Sequence, residues 1–193
     1  KGMGIDKRIG NKFLHAGPGY GGSCFPKDVK AFIKTAEKHS VDFSILSSVN
    51  KFNEERVSKI TNKFISKANI KKGDQVSLLG LSFKPNTDDV RDSTSLKISK
   101  ILQKAGISIK SYDPEAMSNA KKENPELILC NNAYEACKGT KAIIIGTEWN
   151  EFRALDFLKI KEIKDNLVIF DLRNIYNSKE LKDLGFQYFG TGK

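Results

Sequence analysis

The stretch Val76-Ser77-Leu78-Leu79-Gly80-Leu81 has the length and apolar composition of a strand that is buried on both faces. A helical pattern over 93–105 follows it and ends at Gly106, and residues 107–112 then alternate as a second strand. Strands that alternate with helices form parallel sheets covered by helices on both faces. The sequence therefore predicts an α/β fold with a doubly wound, Rossmann-like parallel sheet.

This alternation continues to the end of the chain. Helices and strands alternate in the remaining pattern, which begins with a helix, at 133–138, 141–146, 156–163, 167–170, 178–184 and 187–189. We assign residues 71–193 to the domain that contains the sheet, and residues 1–70 to a helical segment that precedes it.

One long helix is predicted just before the sheet. Ser44 has the residue type of an N-cap, and apolar residues then recur at spacings of three and four to about Ala68, namely Ile45, Leu46, Val49, Phe52, Val57, Ile60, Phe64 and Ile65. A helix of about 24 residues is about 36 Å long at 1.5 Å per residue. Two interpretations stay open, a linker that buries one face on its own domain and a central helix that also packs against a second copy.

The loop Gly17-Pro18-Gly19-Tyr20-Gly21-Gly22-Ser23-Cys24-Phe25-Pro26-Lys27-Asp28 combines four glycines with a cysteine. Glycine permits positive φ and a close approach of the backbone to a ligand, so this loop can surround a small molecule and present Cys24 to it. A helical pattern over 28–38 follows, which puts Cys24 just ahead of a helix N-terminus. The partial positive charge there, together with Lys27, favours a thiolate.

Three other interpretations of this cysteine loop have less support. Gly17, Gly19 and Gly22 match G-x-G-x-x-G, but a dinucleotide fingerprint requires a strand before it and a helix that opens within it. A papain-type nucleophile requires a histidine far downstream, and the chain has only His15 and His39. An inert buried thiol is a common state of cysteine, but the glycine-rich setting argues against it.

A polar loop at 82–93 follows the first predicted strand, where ligands bind in sheets of this kind. It lacks G-x-G-x-x-G, but Lys84 and Arg91 offer charged donors to a phosphate. Composition alone favours an ordinary surface loop, in which three acidic residues neutralise the bases, namely Asp88, Asp89 and Asp92.

The composition is that of an ordinary soluble globular protein of one or two small domains, with 193 residues, 39% of them hydrophobic and 29% charged. No apolar run approaches the roughly 20 residues that a membrane helix needs. The net charge of +10 comes from scattered lysines without a nucleic-acid motif, so we expect neither a nucleic-acid nor a membrane partner. Three cysteines provide no disulfide framework, and Cys130 and Cys137 fit no metal spacing, so we expect a reducing cytoplasm and no metal.

Three segments in order together resemble the UDP-glucose/GDP-mannose dehydrogenase family and span most of the chain. They are the cysteine loop, which reads G-x-G-Y-G-G-S-C-F-P-K-D, the stretch over 79–93, and the fainter Phe170-Asp171-Leu172-Arg173-Asn174. The resemblance implies NAD-dependent oxidation of the C6 alcohol of a nucleotide sugar to a carboxylate. Cys24 would capture the intermediate aldehyde as a thiohemiacetal, and water would release the acid from a later thioester.

The resemblance also implies roles for individual residues. Cys24 is the expected nucleophile and Asp28 its partner in proton transfer, although a role as helix N-cap stays open for Asp28. The expected NAD contacts are Cys24, Lys27 and Arg91. The expected substrate contacts are Arg8, Phe13, His15, Gly17, Tyr20, Gly21, Phe83, Lys84 and Arg173. Thr147-Glu148-Trp149 follows another strand end, where a surface turn and a site are equally compatible with the sequence.

In this family the arginine that corresponds to Arg8 reaches the nucleotide sugar of a neighbouring subunit, which implies a homodimer formed through the long helix. Branches that oxidise N-acetylated UDP-hexosamines tend to carry a histidine-containing variant of 23–28, so we expect UDP-glucose as substrate. The chain begins at Lys1-Gly2-Met3 as if cut from a longer protein, and the family's NAD domain would precede it. We therefore expect no turnover by the chain alone, and a non-catalytic module that binds UDP-sugars or oligomerises is the alternative.

Overall fold

A computed structural model describes residues 2–11, 14–164 and 167–192 of the chain. Within them lies a six-stranded sheet of order β3-β2-β1-β4-β5-β6, in which all neighbouring strands are parallel. The strands are β1 Gln75–Leu79, β2 Ser108–Tyr112, β3 Ile128–Leu129, β4 Ala142–Ile145, β5 Val168–Asp171 and β6 Gln187–Gly190. This order is that of a doubly wound sheet whose topology reverses between β1 and β4. The predicted fold class is therefore confirmed.

The helices of the described part are α1 Gly2–Ile5, α2 Phe25–Lys38, α3 Ser44–Lys67, α4 Thr94–Lys104, α5 Met117–Glu123, α6 Ala133–Cys137, α7 Asn150–Arg153, α8 Phe157–Ile163 and α9 Ser178–Asp183. The predicted elements agree with these bounds within two residues at either end, except that α2 begins three residues earlier than predicted. Four short elements were not predicted: α1, β3 and α7 have only two to four residues, and α5 is mostly polar.

Strand β4 shows how the sheet separates two hydrophobic layers. Ala142 and Ile144 face the core formed with α3, α4 and the α5 region, whereas Ile143 and Ile145 face the core formed with α6 to α9. All four side chains are buried, because a central parallel strand has helices on both sides. None of the helices within the described residues has the length and apolar composition that a membrane crossing requires.

The long helix α3 is buried at one end and open at the other. Near its C-terminus Phe64 packs against Phe170 of β5, with 5.1 Å between ring centroids, and belongs to the core of the sheet. Near its N-terminus Ile45 is 82% exposed and Phe52 is 55% exposed. The hydrophobic core therefore contains residues from both sides of residue 70. The division of the chain into domains at 1–70 and 71–193 stays a prediction.

Two helix starts differ from the prediction. Cys24, and not Asp28, occupies the N-cap of α2, since the Asp28 N–H donates to the Cys24 carbonyl oxygen at 2.9 Å and Asp28 lies in the first turn. Pro26 fits that turn because its missing N–H would have no partner there. Helix α3 begins at Ser44 itself, with Phe43 as the N-cap, and Asp42 accepts the Ser44 N–H at 2.9 Å.

Candidate functional site

One side of the cysteine loop is held by side chains of α3. The Asn53 amide accepts the Tyr20 N–H at 2.9 Å and donates to the Tyr20 carbonyl oxygen at 3.0 Å. The Arg56 guanidinium donates to the Gly17 carbonyl oxygen through Nε at 3.1 Å and Nη2 at 2.7 Å. Four hydrogen bonds therefore fix the loop backbone to this helix.

The other side of the cysteine loop packs against the loop at 82–93. A Cβ atom on Gly21 would lie 2.5 Å from the Asp92 carbonyl oxygen. Gly22 has a φ of +88°, and a Cβ there would lie 2.9 Å from the Phe83 ring. Only glycine permits this backbone conformation and these approaches without displacement of a neighbour. The first two sequence motifs thus meet in space.

Cys24 is exposed at the N-terminus of α2, next to two cationic side chains. Its thiol lies within electrostatic range of the Arg91 guanidinium, which is paired with Asp89 at 2.7 Å. Hydrogen bonds from Arg91 lower the pKa of Asp89. Lys27 is also exposed, with its Nζ 3.5 Å from the Asp28 carboxylate. Cys24 is therefore accessible, and charged groups that can act on a bound molecule surround it.

Arg173 connects the third motif to the other two. Its side chain is only 16% exposed, and its Nε donates to the Gly146 carbonyl oxygen at 2.7 Å. Its Nη2 contacts the Phe83 carbonyl oxygen at 3.4 Å, and a Cβ on Gly17 would lie 3.5 Å from its Nη1. The Glu148 carboxylate lies 3.2 Å from Arg173 Nε. Burial lowers the pKa of Arg173, while nearby carboxylates, Glu148 first, oppose that shift.

The turn that carries Arg173 is shaped by Asp171 at the end of β5. This buried carboxylate accepts the backbone N–H groups of Arg173 at 2.9 Å, Ile175 at 2.8 Å and Tyr176 at 3.1 Å. It also accepts the Tyr188 hydroxyl at 3.0 Å. Burial raises the pKa of Tyr188, and the Asp171 charge adds to that shift. Asp171 therefore holds the backbone that presents Arg173.

A cavity of about 630 Å³ lies where the approach to the cysteine loop meets the carboxyl ends of β4 and β5. Its lining residues are His15, Ala16, Glu148, Arg153, Arg173, Asn174 and Ile175. The volume is within the range of small-ligand sites. Two arginines suit a phosphate, and carboxylate and amide groups suit a sugar hydroxyl or a base.

The crevice between β1 and β4, where many doubly wound sheets bind a dinucleotide, is closed by protein groups. Asp113 at the end of β2 is buried and accepts the N–H groups of Leu81 at 2.7 Å and Ser82 at 3.1 Å. The Trp149 indole N–H lies 3.2 Å from the same carboxylate, and the Thr147 hydroxyl donates to the Ser82 carbonyl oxygen at 2.6 Å. In dinucleotide-binding sheets an acidic residue near this point binds the ribose. Here the corresponding carboxylate, that of Asp113, is bonded to protein groups instead.

This network also decides between the two interpretations of Thr147-Glu148-Trp149. Thr147 and Trp149 are buried, so the segment is not a surface turn. Glu148 lies between them and reaches the cavity beside Arg173. The sequence offered no signal for this, because the partners Ser82 and Asp113 are distant along the chain.

The structure brings most of the predicted site residues together. Direct contacts among the three motifs involve Gly17, Gly21, Phe83 and Arg173, whereas the Tyr20 backbone bonds to Asn53 of α3. His15 lines the cavity, and Lys84 Nζ lies 5.4 Å from the centroid of the Phe83 ring. Arg8 instead pairs with Asp6 at 2.6 Å and is almost fully exposed. Phe13 lies outside the described residues.

Several residues that shape the site were missed by the sequence analysis. They are Asn53, Arg56, Asp113, Arg153 and Asn174, whereas Glu148 was named only within a segment for which a turn and a site were both open. Asn53 and Arg56 occupy positions that look like the polar face of an amphipathic helix, so residue type alone did not distinguish them. Within residues 2–11, 14–164 and 167–192 no three potential metal ligands of the His, Cys, Asp and Glu types come together.

A doubly wound sheet, an arginine-lined cavity at its carboxyl edge and an exposed cysteine at a helix N-terminus define an α/β protein with a candidate ligand site and an accessible thiol. The chain belongs to the UDP-glucose/GDP-mannose dehydrogenase family. Residues 77–178 match the UDP binding domain of that family, and residues 1–55 match its central domain.

Relatives with curated names support this assignment. Over its full length the chain is 45% identical to UDP-glucose 6-dehydrogenase of Rhizobium meliloti (strain 1021), of which it covers 44%. It is 39% identical to UDP-glucose 6-dehydrogenase YwqF of Bacillus subtilis (strain 168), of which it also covers 44%. The chain therefore spans less than half the length of these relatives.

Solved structures agree with the fold. A UDP-glucose dehydrogenase from the hyperthermophilic archaeon Pyrobaculum islandicum superposes with a TM-score of 0.86 at 31% identity, over 98% of this chain and 42% of that one. An NDP-N-acetyl-D-galactosaminuronic acid dehydrogenase from Methanosarcina mazei Go1 gives a TM-score of 0.84 at 25% identity, over 100% of this chain and 42% of that one.

Proposed function

We propose that this chain is the part of a UDP-glucose 6-dehydrogenase that binds the UDP-sugar and carries its nucleophilic cysteine. The observation that carries the proposal is the convergence of the cysteine loop, the 82–93 loop and Arg173 around the carboxyl ends of β1, β4 and β5. The names of relatives at 45% and 39% identity support UDP-glucose over other nucleotide sugars.

The nucleotide part of the substrate occupies the arginine-lined cavity. Within the described residues the Nη1 of Arg173 has no hydrogen-bond partner and lies near Gly17, where it can meet an anionic oxygen, while its Nε is held by Gly146. The fork of an arginine suits bidentate contact with phosphate. Lys84, whose Nζ lies over the Phe83 ring, supplies a second cation on the side of Cys24. The glucose unit then extends from the pyrophosphate towards the thiol.

Catalysis converts the C6 alcohol into a carboxylate through a covalent intermediate on Cys24. The thiolate adds to the carbon of the C6 aldehyde, which forms a C–S bond and turns the carbonyl oxygen into an alkoxide that takes up a proton. After the second oxidation the same carbon is a thioester, and water adds to it while the C–S bond breaks. Asp28 lies one turn into α2 with an exposed carboxylate and assists the water.

NAD, when bound, supplies the redox chemistry by accepting one hydride at each oxidation. The described residues fit only the edge of such a cofactor, since Asp113 is buried and bonded within the sheet. Lys27 and Arg91 are exposed cations near Cys24 that suit the anionic part of NAD. The other parts of a longer enzyme hold the rest of the NAD molecule. The chain by itself is therefore not expected to turn over.

A homodimer forms through the open end of α3. Ile45, Val49 and Phe52 are exposed there. Ile45 also lines an apolar cavity of about 770 Å³ that includes Phe25, Phe32 and Phe43. Apolar patches of this kind mark interaction surfaces, and a second copy would also bring another Arg8 near the site.

The three cysteines are free thiols, which supports a reducing compartment, the cytoplasm.

The test is an assay of the intact enzyme with NAD and each of three nucleotide sugars, UDP-glucose, GDP-mannose and UDP-N-acetylglucosamine. We expect two NADH per UDP-glucose and a kcat/KM at least tenfold above the other two. Cys24→Ala should abolish acid formation and retain UDP binding, because the thiol forms the intermediate and does not hold the nucleotide. Preference for another sugar, or full acid formation by Cys24→Ala, would contradict the proposal.

A further inference from the structure

We infer that Asn53 and Arg56 of α3 are positioning residues for Cys24, which act by fixing the cysteine loop through its backbone. This inference rests on the function proposed above. Both side chains bond to the backbone of the cysteine loop, at Tyr20 and Gly17, and not to the thiol.

The cysteine loop leaves little free space around the Asn53 side chain. Its amide uses both its oxygen and its nitrogen on the backbone of one residue, Tyr20. The preceding Gly19 has a φ of +130°, and a Cβ there would lie 2.6 Å from Asn53 Oδ1. A shorter, apolar side chain at 53 therefore removes two hydrogen bonds and opens space beside a residue that has no side chain of its own.

Arg56 applies a full positive charge to a neutral carbonyl oxygen. Within the part of the chain that the structure describes, it forms no ion pair. Its guanidinium carbon lies 5.7 Å from the centroid of the Phe52 ring, which limits the positions of the side chain. Both of its bonds go to Gly17, next to the Nη1 of Arg173. Charge-assisted hydrogen bonds are the stronger class, so this anchor is a firm one.

These anchors determine where the thiol lies. Tyr20 is four residues before Cys24. Between them, Gly21 and Gly22 pack closely against Asp92 and Phe83. The loop is thus clamped between α3 and the 82–93 loop. Without the clamp from α3 the glycines regain a wide range of backbone conformations. A displacement of about 1 Å at a reacting atom can lower a rate by about 100-fold.

The experiment compares Asn53→Ala, Arg56→Ala and Arg56→Lys in the intact enzyme with two matched controls on α3. Asn50→Ala removes an amide whose only hydrogen-bond partner within the described residues is Glu54, and Lys59→Ala removes a cation that also lies over Phe52 and pairs with Glu55. We expect kcat to fall about 10- to 100-fold in Asn53→Ala and Arg56→Ala. The Kd for UDP should stay within about threefold of wild type, since the arginine-lined cavity does not require the thiol to be in place.

Two further readouts separate positioning from folding. Guanidinium ion at millimolar concentration should restore part of kcat to Arg56→Ala only, and Arg56→Lys should be intermediate, since it retains the charge without the fork. The rate of Cys24 alkylation by iodoacetamide should change at least threefold in both alanine variants and not in the controls. Unfolding midpoints should match those of the controls.

Turnover and alkylation that equal the controls would overturn the inference. A loss of activity with weaker UDP binding, a lower unfolding midpoint and no rescue by guanidinium would also overturn it. That combination would show that the two residues only stabilise the fold. If the wild-type enzyme does not oxidise UDP-glucose, the proposed function fails. The alkylation rates then still decide whether Asn53 and Arg56 position Cys24.

Discussion

At the scale of single residues, the three cysteines differ in their access to solvent and reagents. Cys24 is exposed, whereas Cys130 is 5% exposed and Cys137 is fully buried. Burial raises the pKa of Cys130, and the charge of Glu135 adds to that shift. Burial raises the pKa of Cys137 to about 12. The two buried thiols therefore stay protonated at pH 8, and alkylating reagents reach them poorly.

We predict that limited iodoacetamide treatment at pH 8 labels Cys24 at least tenfold faster than Cys130 or Cys137. The reason is that a thiolate must be both present and accessible to react. Peptide mass spectrometry after short reaction times gives the three rates. Cys24→Ser is the control, because fast labelling should disappear with it. Equal labelling of a buried cysteine would contradict the burial that the fold imposes.

At the scale of elements, Gly80 permits a close approach between the ends of β1 and β4. Gly80 follows β1 with a φ of +94°, and a Cβ there would lie 2.5 Å from the Thr147 backbone nitrogen. Gly73 provides a matched comparison, since its φ of +89° is nearly the same and nothing lies within 4 Å of its Cβ position. The two positions share the backbone requirement, but Gly80 is buried and closely approached, whereas Gly73 is exposed with open space around it.

We predict that Gly73→Ala lowers the free energy of unfolding by about 1 kcal/mol, the cost of a left-handed conformation for alanine. Gly80→Ala should lower it by about 2–4 kcal/mol, because overpacking adds about 1–3 kcal/mol to the same strain. Urea unfolding of the intact enzyme, followed by tryptophan fluorescence, measures both. Because Trp149 lies beside Thr147, its signal reports on this region. Equal losses in the two variants would show that the approach of Gly80 to Thr147 carries no energetic cost.

At the scale of the whole molecule, the open end of α3 leads us to predict a dimer. Light scattering of the intact enzyme at micromolar concentration should give twice the subunit mass. Ile45→Glu should shift the protein towards the monomer, because a charge would be buried in an apolar contact. Leu158→Glu is the control, since Leu158 is also exposed, at 61%, but lies on α8. A monomeric wild type, or equal effects of the two variants, would contradict the dimer.

The sequence by itself was enough to predict the helices and strands of ordinary length, the α/β alternation and the location of Cys24 at a helix start. These features depend on neighbours within a few residues, such as the apolar run of β1, the long periodic pattern of α3 and the glycines before Cys24. The family resemblance added the roles of the motif residues. Short elements such as β3 and α7 escaped, because a strand of two residues and a mostly polar helix of four contain no period.

Only the tertiary structure decided which side chains meet. Phe83 and Arg173 are 90 residues apart, Tyr20 and Asn53 are 33 apart, and Ser82 and Asp113 are 31 apart, yet each pair is hydrogen-bonded. Asn53 is an ordinary polar position on a helix until the fold brings a glycine backbone beside it. Asp113 is an ordinary acidic residue until the strand order puts it under the β1 loop. Such roles depend on how elements pack in three dimensions, and a local pattern contains no information about that packing.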